Sequence, residues 1–167
     1  IINSLNELEK QRDSISSNNL SENNPAINLA ESISEIPLIY YPWGLQAAAI
    51  RFKNSLQENT KIHAISEDVI EACHNGIVSW SKPSDIKPIL VRGKDDYIKT
   101  DERWEILKDY FEREGIDFNE IFSVSGNILS KIINLIYLFD YTSIYKAVSS
   151  GIDPTPVKAI DFVKDRL

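Results

Sequence analysis

The stretch PLIYYPWGLQAAAIRFKNSLQENTKIHAIS, residues 37–66, decides the fold. It begins with a short apolar and aromatic run bounded by two prolines, which predicts a buried β-strand. Strong helix formers follow, and their apolar residues recur at helical spacing: Leu45, Ala48, Ala49, Phe52 and Leu56. KIHAIS, residues 61–66, predicts a second short strand. A strand, a helix and a strand in this order are typical of a parallel sheet.

The alternation continues beyond this stretch. The elements predicted after residue 66 are a strand over 85–93, a helix over 100–115, a strand over 117–126 and helices over 127–151 and 153–167. Thr100 or Asp101 is the predicted N-cap of the first of these helices, and Gly115 is its predicted stop. We therefore predict an α/β domain whose mainly parallel sheet is covered by helices on both faces.

The first 25 residues differ in composition from the rest. Ile2, Leu5 and Leu8 have helical spacing, and the polar run QRDSISSNNLSENNP follows them, so residues 1–25 predict a linker helix and a polar linker. AINLAESISEI, residues 26–36, predicts a short amphipathic helix. The chain has no methionine and opens IINSLNELEK, which we interpret as a piece of a longer protein.

Composition limits the classes of protein. With 167 residues, 43% of them hydrophobic and 26% charged, the chain is expected to fold as one globular domain. No apolar run approaches the length of a membrane span, so no membrane association is expected. The net charge of −7 argues against nucleic-acid binding, which needs a basic surface. A single cysteine and the lack of a recognisable secretory signal favour a reducing cytoplasm.

The two histidines and the only cysteine are the first candidates for chemistry. Ligands of open parallel sheets bind at the carboxyl ends of strands, which favours the segments after the first and second strands. Gly44 opens a helix there, but one glycine is a weak phosphate-loop signal. His63 is predicted within a strand as a packed or half-exposed side chain. His74 is predicted on a loop or at a helix start, where a histidine can transfer protons.

Two other chemistries are weakly supported. Cys73 and His74 are adjacent, and adjacent side chains usually diverge, so a nucleophile–base pair is not favoured. One cysteine and two histidines without paired spacing do not form a zinc site, and no metal is expected.

Glu58 lies where the helix of the opening stretch is predicted to end, with Asn59 as a left-handed C-terminal residue. One interpretation is a solvated surface glutamate. In the other, the negative end of the helix dipole disfavours the ionised carboxylate and so favours a general base. Periodicity leaves both interpretations open.

Several ordered motifs resemble a known family. They are Arg51-Phe52-Lys53, Glu58-Asn59-Thr60-Lys61, Glu71-Ala72-Cys73-His74-Asn75 with Trp80, and a tail that contains DYTSIY and GIDPTPV. Over residues 37–80 and 138–167 the chain resembles the second half of the archaeal and bacterial bifunctional phosphoglucose/phosphomannose isomerases. Ile70 departs from the pattern, because the family usually has proline before this glutamate.

The resemblance implies a fold and an activity. Residues 26–167 would be a C-terminal sugar isomerase (SIS) domain, a flavodoxin-like three-layer α/β sandwich, with the N-terminal SIS domain of the same protein absent from the chain. The family interconverts glucose 6-phosphate and mannose 6-phosphate with fructose 6-phosphate through a cis-enediol, without metal or organic cofactor. It works as a homodimer with a shared active site. In the family the phosphate-binding loop and an active-site arginine belong to the first domain, so this chain alone is expected to be inactive.

The resemblance also assigns residues. The motif match makes Glu58 the base, His74 a ring-opening group that reaches the neighbouring subunit's site, and Lys164 a lysine that assists ring opening. The positions expected to bind substrate are Arg51, Lys61, Asn75 and Thr155. Two alternatives stay open, namely a sugar-phosphate-binding SIS module without chemistry and a domain that only supplies a dimer interface.

Overall fold

A computed structural model describes residues 2–167, with side chains from Leu5 onward. Four parallel strands form one sheet in the order β2-β1-β3-β4. The strands are β1 (Leu38–Tyr41), β2 (Ile65–Asp68), β3 (Ile89–Arg92) and β4 (Asn119–Phe122). The predicted parallel sheet is therefore confirmed. The central position of β1 explains why the opening stretch is apolar, since all four of its residues are buried.

Seven α-helices connect and cover these strands within the described residues. They are α1 (Ile2–Ile15), α2 (Pro25–Ser32), α3 (Gln46–Thr60), α4 (Val69–Ala72), α5 (Ile98–Glu114), α6 (Ile128–Ser149) and α7 (Lys158–Lys164). Two 3₁₀ turns, Trp43–Leu45 and Gly76–Ser81, follow β1 and α4. Every helix in residues 2–167 is too short or too polar to span a lipid bilayer.

The sheet has a hydrophobic layer on each face, because alternate residues of a strand point to opposite sides. Ile39 and Val91 face a core formed with α1, α2, α3 and α6. Tyr40 and Leu90 face a second core formed with α4, α5 and the 3₁₀ turn that carries Trp80. Helices therefore cover both faces, as the sequence predicts.

Helices α3 and α6 form the main helix pair of the first core. The rings of Phe52 and Phe139 stack between them, with centroids 4.2 Å apart and planes 10° from parallel. The apolar stripe predicted on α3 is the buried side of this helix, where Ala48, Ala49 and Leu56 are fully buried. This packing fixes the carboxyl end of α3, which carries Glu58, against α6.

The amino-terminal segment packs onto the same core. The linker helix predicted at the start of residues 1–25 is present as α1 and continues to Ile15, which is fully buried. Ile1 and the side chain of Ile2 lie outside the described residues. Asn24, also fully buried, accepts from the backbone N–H groups of Ala26 and Ile27 at the start of α2. Its amide donates to the carbonyls of Ile15 and Asn19.

Three local predictions are wrong. His63 lies in the segment before β2 rather than in a strand, because pairing with β1 begins only at Ile65. Neither Thr100 nor Asp101 caps α5, which begins at Ile98 and whose first N–H groups bond to the carbonyl of Tyr97. The left-handed residue after α3 is not Asn59, because the helix continues through Thr60.

Candidate active site

Glu58 lies in the last turn of α3, as the sequence predicts, with its side chain exposed. It borders a cleft of about 290 Å³ between the end of α3 and the segment that leads into α7. Lys61 and residues 156–160 form the rest of the wall together with Gln57. A carboxylate at such a cleft can exchange protons with a bound molecule while it remains accessible to solvent.

Lys61 ends α3 with φ of 60° and ψ of 16°, in the left-handed region. Its ammonium donates to three backbone carbonyls: that of Glu58 at 2.6 Å, that of Pro156 at 2.8 Å and that of Pro154 at 3.2 Å. An ammonium has three N–H donors, so these carbonyls occupy all of them. Lys61 was predicted to bind substrate, and in this structure it joins the end of α3 to the loop before α7.

That loop is itself ordered by an Asx turn. The Asp153 carboxylate accepts from the backbone N–H of Thr155 at 2.9 Å. This bond, together with one from the Thr155 hydroxyl and the nearby charge of Lys61, lowers the pKa of Asp153. Thr155 is exposed and lies between the two prolines whose carbonyls Lys61 binds. The structure therefore brings Glu58, Lys61 and the Thr155 segment together.

Arg51 has a partner within the chain. Its guanidinium makes two bonds of 3.1 Å to the carboxylate of Asp140 on α6, and the Ser55 hydroxyl donates to the same carboxylate at 2.9 Å. The bond to Asp140 raises the pKa of Arg51. One turn beyond Ser55, the Asn59 amide donates to the Ser143 hydroxyl at 2.8 Å.

Residues 51, 55 and 59 thus form a polar stripe that holds α3 to α6. The role of Ser55 escaped the sequence reasoning. The signal that could have found it is the spacing of four residues between polar side chains, which places them on one helix face.

His74 and Asn75 lie in the turn after α4, and both are exposed. This turn sits against the carboxyl end of β2, since a Cβ on Gly76 would lie only 2.7 Å from the Glu67 carboxylate. Glu58 lies at the opposite end of the strands, because α3 runs from the carboxyl end of β1 back to the amino end of β2. One copy of the chain therefore does not bring Glu58 and His74 together.

Cys73 does not form a pair with His74. Its thiol is half-buried and points toward the carbonyl of Arg103, with Sγ 3.9 Å from the oxygen, whereas the His74 side chain is exposed. Burial raises the pKa of the Cys73 thiol. The orientation of the Cys73 thiol away from His74 and its raised pKa both disfavour a thiolate nucleophile at this position.

Lys164 lies on α7, far along the chain from Glu58 and His74. No residue of α7 is buried, and the Lys164 ammonium makes no hydrogen bond or ion pair with the residues that the structure describes. Its predicted role in ring opening therefore has no supporting contact within one copy of the chain.

A buried arginine at the carboxyl end of β3 escaped the sequence reasoning altogether. Arg92, at the end of β3, is 7% exposed and lies between the rings of Phe122 and Trp104. Its guanidinium donates to three carboxylates: Glu120 at 2.6 Å, Glu105 at 3.1 Å and Asp101 at 3.2 Å. An arginine at the end of an apolar strand run could have indicated a buried ion-pair cluster, because a buried charge needs partners.

The described residues hold no group of three or more metal-ligating His, Cys, Asp or Glu side chains.

Solved structures share this arrangement of strands and helices. A glucose-6-phosphate isomerase-like protein from Thermus thermophilus matches with a TM-score of 0.72 and 19% identity, over 91% of this chain and 53% of that one. A glucosamine-6-phosphate deaminase from Thermotoga maritima matches with a TM-score of 0.53 and 12% identity, over 77% of this chain and 41% of that one. The fold is thus the α/β fold of SIS domains.

The sequence narrows this class to one family. Residues 22–167 match the model of the bacterial phospho-glucose isomerase C-terminal SIS domain, and the chain belongs to that family.

Two curated relatives are each named bifunctional phosphoglucose/phosphomannose isomerase. The one from Caldicellulosiruptor bescii is 33% identical, over 84% of this chain and 44% of its own length. The one from Aquifex aeolicus is 27% identical, over 96% of this chain and 52% of its own length. The chain therefore spans about half the length of the curated relatives it matches. The resemblance stated from the motifs is confirmed.

Proposed function

We propose that the full-length protein that carries this chain interconverts glucose 6-phosphate and mannose 6-phosphate with fructose 6-phosphate. The membership of residues 22–167 in the isomerase family and the names of the curated relatives support this proposal. In this proposal the chain is the C-terminal half, and an N-terminal SIS domain supplies most phosphate contacts. The chain by itself is then inactive.

The observation that carries the proposal is the position of the Glu58 carboxylate at the cleft between α3 and α7. In the reaction that we propose, Glu58 takes the proton from C2 of the open-chain aldose, and the C1 carbonyl oxygen takes up a proton from solvent to give the cis-enediol. Glu58 then returns its proton to C1 while the C2 hydroxyl loses its proton to solvent, which gives the ketose. One carboxylate suffices as base and then acid, and no electron acceptor is needed because the sugar is only rearranged.

We further propose that His74 moves the ring hydroxyl proton during ring opening, with Lys164 assisting. The exposure of both residues supports a role toward another copy of the chain. Since Glu58 and His74 lie at opposite ends of the strands, a site that uses both must combine two copies, as in a homodimer. Asn75 and Thr155 are exposed and available for substrate contacts, whereas Arg51 would have to leave Asp140 to make one.

A second candidate is a sugar-phosphate-binding module without chemistry. It is favoured by one observation, namely that two cations predicted to bind substrate, Arg51 and Lys61, are both occupied by protein groups. A binding module needs no base. The two candidates therefore predict different effects of removing the Glu58 carboxylate on isomerisation.

The deciding experiment uses the full-length protein with fructose 6-phosphate in deuterated water. We expect the wild type to form glucose 6-phosphate and to incorporate deuterium at C1 and C2. We expect Glu58→Gln to abolish both isomerisation and incorporation, and Glu31→Gln, an exposed glutamate on α2, to preserve them. Deuterium exchange retained in Glu58→Gln would remove Glu58 from the role of base, and a wild type that binds without exchange would establish the binding module.

A further inference from the structure

Lys61 occupies a backbone position that does not favour lysine. Among residues 2–167 it is the only residue other than glycine with a positive φ. Glycine or asparagine adopts the left-handed conformation more readily at the end of a helix. The presence of lysine at this left-handed position is explained by the contacts of its side chain.

The Lys61 ammonium donates its hydrogen bonds to other groups of the same chain. The three carbonyls that it binds belong to two segments that are far apart in sequence: Glu58 in the last turn of α3, and Pro154 and Pro156 in the loop before α7. The helix end carries partial negative charge on its free carbonyls, which an ammonium stabilises. Neither proline has an N–H of its own, so this loop depends on other groups to fix it.

Few other contacts hold the loop and the helix after it. No residue of α7 is buried, and the residues of the loop from 153 to 157 are exposed or half-exposed. The Asx turn at Asp153 orders the loop internally without attaching it to α3. Lys61 is thus the polar link between this loop and the helix end that bears Glu58.

We propose that Lys61 is a positioning residue of the isomerase and not a substrate ligand. Its ammonium holds the 153–157 loop against the last turn of α3, which fixes the width of the cleft and the direction of the Glu58 carboxylate. This inference rests on the proposed function for its catalytic consequence, and on the three hydrogen bonds alone for its structural part. A base displaced by about 1 Å can lose on the order of a hundredfold in rate.

The test compares Lys61→Asn, Lys61→Gln and Lys61→Arg in the full-length protein. Asparagine keeps the left-handed turn favourable, so this variant is expected to fold, and circular dichroism checks that it does. Lys82→Gln removes one positive charge from an exposed side chain outside the cleft, just after the 3₁₀ turn Gly76–Ser81, where the ammonium makes no bond to the described residues, and serves as the matched control.

We expect Lys61→Asn and Lys61→Gln to lower kcat by about 10- to 100-fold while KM changes less than about threefold. Amide hydrogen exchange over residues 152–160 should rise about tenfold or more in the same variants. Lys61→Arg should recover part of kcat, because a guanidinium can also donate to several carbonyls. Lys82→Gln should match the wild type in both measurements.

Other outcomes would overturn the inference. A rise in KM with unchanged kcat would make Lys61 a substrate ligand instead. Unchanged exchange in residues 152–160 would show that Lys61 does not hold the loop. A wild-type protein without isomerase activity would defeat the proposed function, and the exchange comparison would then decide alone whether Lys61 fixes the loop.

Discussion

Asn59 donates a hydrogen bond from its side-chain amide to the hydroxyl of Ser143, 2.8 Å away and 84 residues later in the chain. The Ser143 hydroxyl in turn donates to the carbonyl of Asp140. These contacts join the motif that contains Glu58 to the DYTSIY motif of α6. Part of each motif therefore serves to hold two helices together, while the neighbouring Glu58 stays free at the cleft.

The ion pair between Arg51 and Asp140 should stabilise the same helix pair modestly. Both side chains are partly exposed, so a double-mutant cycle with Arg51→Met and Asp140→Asn should give a coupling of about 0.5–1 kcal/mol in urea unfolding. Salt should weaken it, since exposed charges are screened.

The alternative role of Arg51, which is substrate binding, predicts a different pattern of changes in KM. If Arg51 binds substrate in the full-length protein, Arg51→Met should raise KM strongly while Asp140→Asn does not. Equal and small changes of KM in both variants would support the helix-to-helix role.

Asn24 should contribute more to stability than its place in a polar run suggests. Asn24→Ala removes the acceptor of two cap N–H groups and leaves two carbonyls without their donor, so we expect a loss of about 2–4 kcal/mol in the free energy of unfolding. Asn24→Asp keeps the cap acceptor but turns a buried carboxylate oxygen toward the same two carbonyls, so it should not restore the wild-type stability. The exposed neighbour Asn23 is the control, and Asn23→Ala should change stability by less than about 0.5 kcal/mol. An equally small loss in Asn24→Ala would contradict the buried role.

Tyr40 should make stability fall at alkaline pH. It is 1% exposed, and burial, opposed by the hydrogen bond from Trp80, raises its pKa to about 12. A raised pKa in the folded state favours the protonated phenol. Its contribution is therefore complete below the unfolded pKa near 10 and is lost as pH rises toward 12, by about 2–3 kcal/mol.

The comparison with Tyr40→Phe isolates this effect. The variant should be less stable than the wild type near pH 8, by about 1 kcal/mol, because the buried Trp80 N–H loses its acceptor. The difference should shrink or reverse by pH 11, since only the wild type must bury an ionisable phenol. Tyr97→Phe, at an exposed position, controls for general alkaline effects. A constant difference between pH 8 and pH 11 would contradict the raised pKa.

Periodicity was enough to predict the sheet and its helices, because buried runs and apolar stripes are local properties of the sequence. It placed Glu58 correctly at a helix end for the same reason. It misplaced the left-handed residue at Asn59, since that side chain is held by Ser143 on a distant helix and the buried Thr60 extends α3. It likewise extended strand β2 too far toward residue 61, because the pairing that defines the strand depends on β1.

The polar contacts of the candidate site were harder to predict. Motif matching gave residue types in order, but Arg51 meets a carboxylate 89 residues away and Lys61 meets carbonyls more than 90 residues away. Backbone carbonyls carry no side-chain signal, so no pattern in the sequence marks them as partners. The motif match alone assigns catalytic or substrate-binding roles to these residues, and the roles stay predictions: Glu58, His74, Lys164, Asn75 and Thr155.

A last prediction follows from the separation of Glu58 and His74 at opposite ends of the strands. If each active site takes Glu58 from one copy and His74 from another, mixing full-length Glu58→Gln and His74→Ala proteins should restore activity that neither has alone. Random pairing makes half of the dimers hybrids, and each hybrid has one intact site of two, so about a quarter of wild-type activity is expected. Mixing Glu58→Gln with Glu58→Ala should restore nothing, because every site then lacks the carboxylate. Hybrids no more active than their parents would mean that the two residues do not share a site across copies, and the exposed His74 would then need another role.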